Sequence, residues 1–280
     1  MFYIGITFAV LCALSKALDA LFNKDIMKNQ SAGEHSVFRI VFVLPVLLIF
    51  ALFNWNFQID IIWWLLLYGV LESINILAHQ LAIKKSNPFH VEIISKSKVI
   101  FTLIVSFVLV IDTLTLLKTI GIAVFMIGAV LSINRQNKDS KEKTGPFAIT
   151  MEIVSVLART FKPFILKNCV NNNLISNETL TFLSMIIALI ILGVIFRPKV
   201  DFKTLPCKKY LLQSTIVGLG MLFSGYAVIY SNTVIVNAIE TTSVIFLMLI
   251  TFFFYKKKYT LLSTIGAIIS VIGIILAIVL

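Results

Sequence analysis

Apolar stretches of some twenty residues recur from one end of this chain to the other, separated by short polar breaks. A stretch of about 20 apolar residues is what a helix needs to cross the hydrocarbon core of a bilayer, and on that ruler the pattern predicts spans at roughly 2–22, 35–54, 61–83, 88–111, 114–133, 146–167, 178–197, 210–230, 233–254 and 260–279. That makes ten. The longest polar break, Asn134 to Pro146, falls between the fifth and sixth and reads as a linker. The first stretch lacks the basic leader of a signal peptide and exceeds its usual apolar length, so it is read as a span.

The pattern repeats. TLLKTIGIAVFMIGAVLSI at 115–133 returns as TLLSTIGAIISVIGIILAI at 260–278, 145 positions later. At the same offset Ala82 matches Ala227, Ser86-Asn87 matches Ser231-Asn232, and Val99-Ile100-Phe101 matches Val244-Ile245-Phe246. The expected organisation is a first five-helix repeat at 1–134, a basic linker at 135–145 and a second repeat at 146–280. Because five is odd, the second half must enter the bilayer from the opposite face. The predicted fold class is therefore an all-α integral membrane protein of ten transmembrane helices, built as two inverted five-helix repeats. Within it, Gly121 and Gly128, like Gly266 and Gly273, are expected to let helices approach closely. Ser86-Asn87 and Ser231-Asn232 read as helix N-caps, with Pro88 at a first helical position.

Composition agrees: 59% of the 280 residues are hydrophobic, only 13% are charged, and the mean hydropathy is +1.00. The net charge of +11 lacks the basic stripe with interleaved aromatics that nucleic-acid binding requires. Instead the cations gather in odd-numbered loops: Lys24 and Lys28, Lys84 and Lys85, the linker, the 197–209 loop, and Lys256 to Lys258. The positive-inside rule then predicts a plasma (inner) membrane protein with both termini extracytoplasmic. Cys12, Cys169 and Cys207 are odd in number and scattered, without disulfide or metal-site spacing, and no cofactor is indicated.

Some charges lie inside the spans, where each costs about 2.5–3.5 kcal/mol at the bilayer centre unless it is paired or lines water. Tyr68, Glu72, Asn75 and His79 share one face of the third span by their spacing, and Glu152, Ser155, Arg159 and Lys162 share one face of the sixth. Glu92 and Lys96 lie one turn apart in the fourth, and Asn237, Glu240 and Thr241 lie in the ninth. Tyr68, Glu72, Asn75, His79, Lys96, Arg159 and Glu240 are the candidate substrate-binding residues, and Glu72, His79 and Glu240 the candidate proton carriers, His79 because imidazole titrates near neutrality. Structural alternatives stand beside these. Lys16 and Asp19 can snorkel to the interface, Glu152 can complement its helix dipole, and Glu92–Lys96 can be an intrahelical pair. Pro163 predicts a kink in the sixth span.

Taken with VFRIVFVLP at 37–45, which places Arg39 early in the second helix, with Ala78, Ala82 and Ser86, and with the Gly-six-residues-Gly pattern of both fifth helices, the chain resembles the drug/metabolite transporter superfamily and its EamA-like members. It departs from their pattern at Ser15-Lys16, where the family has Trp-Gly, and at Lys98, where it has Pro. The resemblance implies a secondary transporter working by alternating access on small polar metabolites such as amino acids, with the bilayer, a small-molecule substrate and protons as its partners. The mixed charges favour an amino-acid-like zwitterion or a carboxylate-bearing compound. A lipid flippase-like or accessory subunit is the alternative. A membrane-embedded enzyme is disfavoured, since HExxH and GxSxG are absent and His35, His79 and His90 lack ligand spacing; so is an ATPase, for want of a Walker A sequence.

Overall fold

A computed structural model describes residues 1–26, 31–85, 91, 94–109, 115–133, 145–198, 207–256 and 261–279. Among these residues the chain is helical, with no strand beyond one bridge between Phe57 and Ile175. The helices are α1 (Phe2–Ile26), α2 (Ala32–Phe53), α3 (Ile62–Lys84, entered through a 3₁₀ turn at Ile59–Ile61), α4 (Lys98–Leu109), α5 (Leu116–Ile133), α6 (Pro146–Asn171), α7 (Asn177–Phe196), α8 (Cys207–Tyr230), α9 (Thr233–Glu240), α10 (Ser243–Tyr255) and α11 (Leu261–Val279). Six spans among the described residues are long and apolar enough to cross a membrane, and two shorter apolar helices join them. The chain is a multi-pass membrane protein.

Local chemistry sets several ends. Ser31 opens α2 with a reciprocal capping box to Glu34. Ser176 accepts from the Thr179 N–H at the start of α7, and Pro146 sits at the first position of α6. Asn232 caps α9 as expected, accepting from Val234 and Ile235; its counterpart at Ser86-Asn87 lies outside the described residues. α7 and α10 end on Arg197 and Lys256 in the left-handed region, at φ 41° and 51°. α6 runs through Pro163 as one helix.

The ninth apolar stretch is not one helix. α9 stops at Glu240, a turn occupies Thr241 and Thr242, and α10 starts at Ser243. In the fourth stretch a turn at Ser97 likewise precedes α4. The hydroxyls account for both interruptions: Thr241 donates to the Ala238 carbonyl, Thr242 to Ile239 and Ser97 to Ile94, competing with the backbone ladder.

Helix α1 packs on α8, α9 and α10; α3 packs on α6 and α7; α2 packs on α7 and α8; α4 packs on α6 and α9; and α5 packs on α11. The last contact is the closest. A Cβ on Gly273 would lie 2.2 Å from the Phe125 nitrogen, and one on Gly128 would lie 2.3 Å from the Ser270 nitrogen, so the two backbones touch without side chains between them. Ser270 Oγ also donates to the Phe125 carbonyl at 3.3 Å.

Helix ends sort into two groups. At one end the 54–58 segment meets the 173–176 segment: Gln58 N–H donates to the Leu174 carbonyl at 3.0 Å, and Ser176 Oγ donates to Asn54 at 2.6 Å. The first turn of α1 belongs here, with Gly5 against Ser231. At the other end His35 Nδ1 lies 2.8 Å from the Tyr210 hydroxyl, Gly33 abuts Phe196, and Lys85 reaches over the Phe147 ring. Among the described residues the helix ends around 33–35, 85, 147, 196 and 210 thus gather on one side, and the uncharged asparagine-rich turns on the other.

Candidate functional site

Two of the polar sets inside the helical bundle, among the described residues, hold most of the residues that the sequence singles out. The first runs along the seam of α3 and α6. The spacing of Tyr68, Glu72, Asn75 and His79 turns one face of α3 to the similarly spaced face of α6. Glu152, wholly buried, accepts from Arg159 at 2.5 Å and engages His79 Nδ1 at 2.8 Å. One turn along, Ser155 Oγ donates to Asn75 Oδ1 at 3.1 Å. Two turns along, Glu72 is paired with Lys162, whose ammonium stands 4.9 Å from the centre of the Tyr68 ring. Each carboxylate here has at least one cation of its own. Arg159 keeps a buried Nε–H without a partner, so its guanidinium has bonding capacity left.

The second set surrounds Glu240, the last residue of α9. Its Oε2 receives Lys16 Nζ from α1 at 2.6 Å and lies 3.5 Å from Lys98 Nζ at the start of α4. Its Oε1 accepts from Ser224 on α8 and from Cys12 Sγ on α1 at 3.5 Å. Beside it, Lys96 donates to the Thr241 carbonyl in the helix break.

Several expectations are redirected. Glu72 does not join His79: it takes Lys162, and His79 takes Glu152. Glu152 is more than a helix-dipole partner, since it holds Arg159 from its own helix and engages the His79 ring from α3. Lys16 does not snorkel to an interface but turns to Glu240. Asp19 is fixed by Arg39 at 2.6 Å and by Gln213 at 2.7 Å. Asn237 is buried and donates to Thr102 at 3.0 Å, which makes it a packing contact between α9 and α4. Glu92 lies outside the described residues, so its pairing with Lys96 is not described. The sequence reasoning missed Lys98, Ser224 and Cys12 as neighbours of Glu240. Lys98 carried a signal, a charge inside an apolar run. Ser224 and Cys12 carried none, because a small residue in a span reads first as packing.

Among the described residues no three His, Cys, Asp or Glu side chains are grouped as a metal site. What the geometry offers is charge and hydrogen bonding inside a membrane, with cations and carboxylates on facing helices.

Comparison with known proteins agrees with this picture. Residues 3–134 match the EamA-like transporter family. No curated protein matches the chain. In fold it is similar to a solved structure described only as a crystal structure of a protein, with a TM-score of 0.79 at 12% identity, over 99% of each chain.

Proposed function

We propose that this chain, whose residues 3–134 match the EamA-like transporter family of the drug/metabolite transporter superfamily, is a secondary transporter carrying a small amino-acid-like zwitterion or carboxylate-bearing metabolite across the plasma (inner) membrane. The observation that carries the reading is the pair of buried charge sets. Three carboxylates and the basic groups facing them are costly at membrane depth, and a central site for a polar substrate gives them a use that lipid contact does not.

Tyr68, Glu72, Asn75, His79, Lys96, Arg159 and Glu240 line this site in our reading. Arg159 grips a carboxylate with its remaining N–H capacity, since guanidinium presents a planar fork. His79 with Glu152, together with Glu72 and Glu240, forms the candidate proton path for coupling.

Alternating access follows from two inverted repeats, 1–134 and 146–280, joined by the 135–145 linker and rocking about a fixed site. Five observations support the repeat. The α1–α8 packing has a counterpart in α3–α6, and α2–α8 has one in α3–α7. The helix breaks at Ser97 and Thr242 stand 145 positions apart. So do the contact partners Lys96 and Thr241, and so do Phe125 and Ser270. The grouping of helix ends that border the basic loops supports a cytoplasmic linker and extracytoplasmic termini.

Purified protein in vesicles tests the function by counterflow. Vesicles preloaded with a mixture of amino acids and small carboxylates accumulate the labelled form of the true substrate. Arg159→Ala and Glu72→Gln proteins insert normally and lose that accumulation. Undiminished accumulation by both variants would refute the site.

A further inference from the structure

The seam of α3 and α6 is a row of charges with an interval in its middle. Its contacts step in opposite directions along the two helices: His79 meets Glu152, Asn75 meets Ser155, and Tyr68 meets Lys162. On that antiparallel register the residue of α6 opposite Glu72 is Arg159. These two opposite charges nevertheless do not pair with each other. Arg159 turns back along its own helix to Glu152 at 2.5 Å, and Glu72 takes Lys162 from one turn further on. The order along the seam is therefore Glu152 negative, Arg159 positive, the interval, Glu72 negative and Lys162 positive.

Bonding capacity is left on both sides of the interval. Lys162 addresses Oε2 of Glu72, and among the described residues no donor reaches Oε1. Arg159 gives one terminal nitrogen to Glu152 and keeps a buried Nε–H without a partner. Asn75, one turn from Glu72, accepts from Ser155 through its Oδ1 and has its amide hydrogens to give. Arg159 also leaves 22% of its side chain accessible. An open guanidinium at membrane depth is costly against lipid, so it faces a water-filled or substrate-filled space. With the His79 imidazole neutral, the two carboxylates of the seam are already matched by two cations. A guest with net charge upsets that match, and a guest with one charge of each sign does not.

We infer that an α-amino acid zwitterion binds in this interval, with its carboxylate on Arg159 and Asn75 and its ammonium on Glu72 Oε1, so that the alternation of charge runs unbroken from Glu152 to Lys162. The carboxylate end is the Arg159 anchor of the transporter reading above, on which the inference rests; it adds a seat for the ammonium and a rule of selection. A bare carboxylate on Arg159 faces the Glu72 carboxylate across the interval with nothing between them, and like charges repel most where water is scarce. An amine alone faces Arg159 in the same way. An α-amino acid brings its two charges close together, which suits two side chains that stand opposite each other on packed helices. Glu72 keeps its place in the candidate proton path, since its carboxylate is free again once the ammonium leaves.

The test uses purified full-length protein in an uncharged detergent at fixed ionic strength, with glycine as the probe because it carries the two charges and little else. Sodium acetate and methylammonium chloride are the two halves of glycine, and sodium chloride is the reference. Glycine in the millimolar range raises the thermal midpoint of the wild type by about 2 °C or more, and the rise saturates, as it does for a ligand of the folded state and not for an excluded osmolyte. Acetate and methylammonium together, each at the glycine concentration, raise it less, with apparent binding about tenfold weaker or more, one step of about 1.4 kcal/mol. Glu72→Gln removes the seat and the repulsion at once, so its glycine response falls to the level of its acetate response. No saturable response of the wild type to glycine, a response no greater than that to the two halves together, or an unchanged preference for glycine over acetate in Glu72→Gln overturns the seat. Should Glu72→Gln fail to fold, the comparison of glycine with its halves in the wild type decides alone. Counterflow that accumulates a carboxylate without an ammonium in preference to amino acids keeps the transporter reading and overturns this seat. Saturable glycine binding without counterflow of any amino acid or carboxylate overturns the transporter reading and leaves the seat standing.

Discussion

Adding one methyl group at Gly273 tests whether α5 and α11 are held together by backbone contact. The Cβ of Gly273→Ala would lie 2.2 Å from the Phe125 nitrogen, 2.6 Å from the Phe125 Cα and 2.8 Å from the Gly121 carbonyl oxygen. All three obstacles are backbone, so no rotamer relieves them and the helices must part by roughly 1 Å, a gap that already forfeits a quarter to a half of each dispersion contact along the seam. Overpacking of this kind costs about 1–3 kcal/mol, and a backbone obstacle puts it at the upper end. The better helix propensity of Ala returns at most about 1 kcal/mol, leaving a net loss of about 2 kcal/mol.

Gly193 in α7 supplies the internal control. Nothing lies within 4 Å of its Cβ position, so Gly193→Ala gains propensity without a clash and stabilises by about 0.5–1 kcal/mol. Thermal unfolding in mild detergent, followed by loss of helical circular dichroism, should show Gly273→Ala melting roughly 4–8 °C below the wild type and Gly193→Ala slightly above it. Equal stability of Gly273→Ala and the wild type, or a reversed order of the two variants, would refute the close-contact account.

Two further outcomes follow from the same structure. Arg197 holds φ 41° at the end of α7, where a side chain is strained and glycine is not, so Arg197→Gly should raise stability by about 0.5–1 kcal/mol while Arg197→Ala does not; equal midpoints for the two variants would remove strain as the cause. Reporter fusions to each terminus should be active only with a reporter that works outside the cytoplasm, and a cytoplasmic reporter that functions at the C-terminus would reverse the proposed orientation while leaving the fold untouched.

Much of the architecture was legible because bilayer thickness imposes one length on every span. Interior glycines were legible for a related reason: in lipid a small residue is more useful as a packing surface than as a hinge. The helix breaks were not legible, since neither carries a proline or glycine. The Thr241-Thr242 turn arises from hydroxyls that capture carbonyls three residues back, and a threonine pair inside an apolar run does not announce that choice. For the polar residues, helical spacing identified the faces of α3 and α6 but not the partners across the seam. Glu72 and His79 are neighbours in the pattern of one helix, yet each found its partner on α6, Lys162 and Glu152. Lys16 was misjudged because its position along α1 allowed snorkelling, and only tertiary placement brought Glu240 within 2.6 Å.

If the halves are related by inversion as proposed, a residue can touch its own counterpart only near the axis that relates them. Two of the described hydrogen bonds join residues 145 positions apart, and they differ in kind. Phe125 and Ser270 lie in the seam of α5 and α11, where Gly128 and Gly273 bring the backbones together and leave no room to slide. Lys96 and Thr241 meet at a helix break, through a flexible side chain and a carbonyl freed from the helical ladder. A two-fold arrangement that must open to each side in turn needs a part that stays fixed and a part that rearranges at small cost. The glycine seam suits the first role, because separating it forfeits dispersion along its whole length. The broken, lysine-rich segments around Glu240 suit the second, because there the contacts are between charges, and a charge contact can be exchanged for one with a substrate of the same sign as the group it displaces.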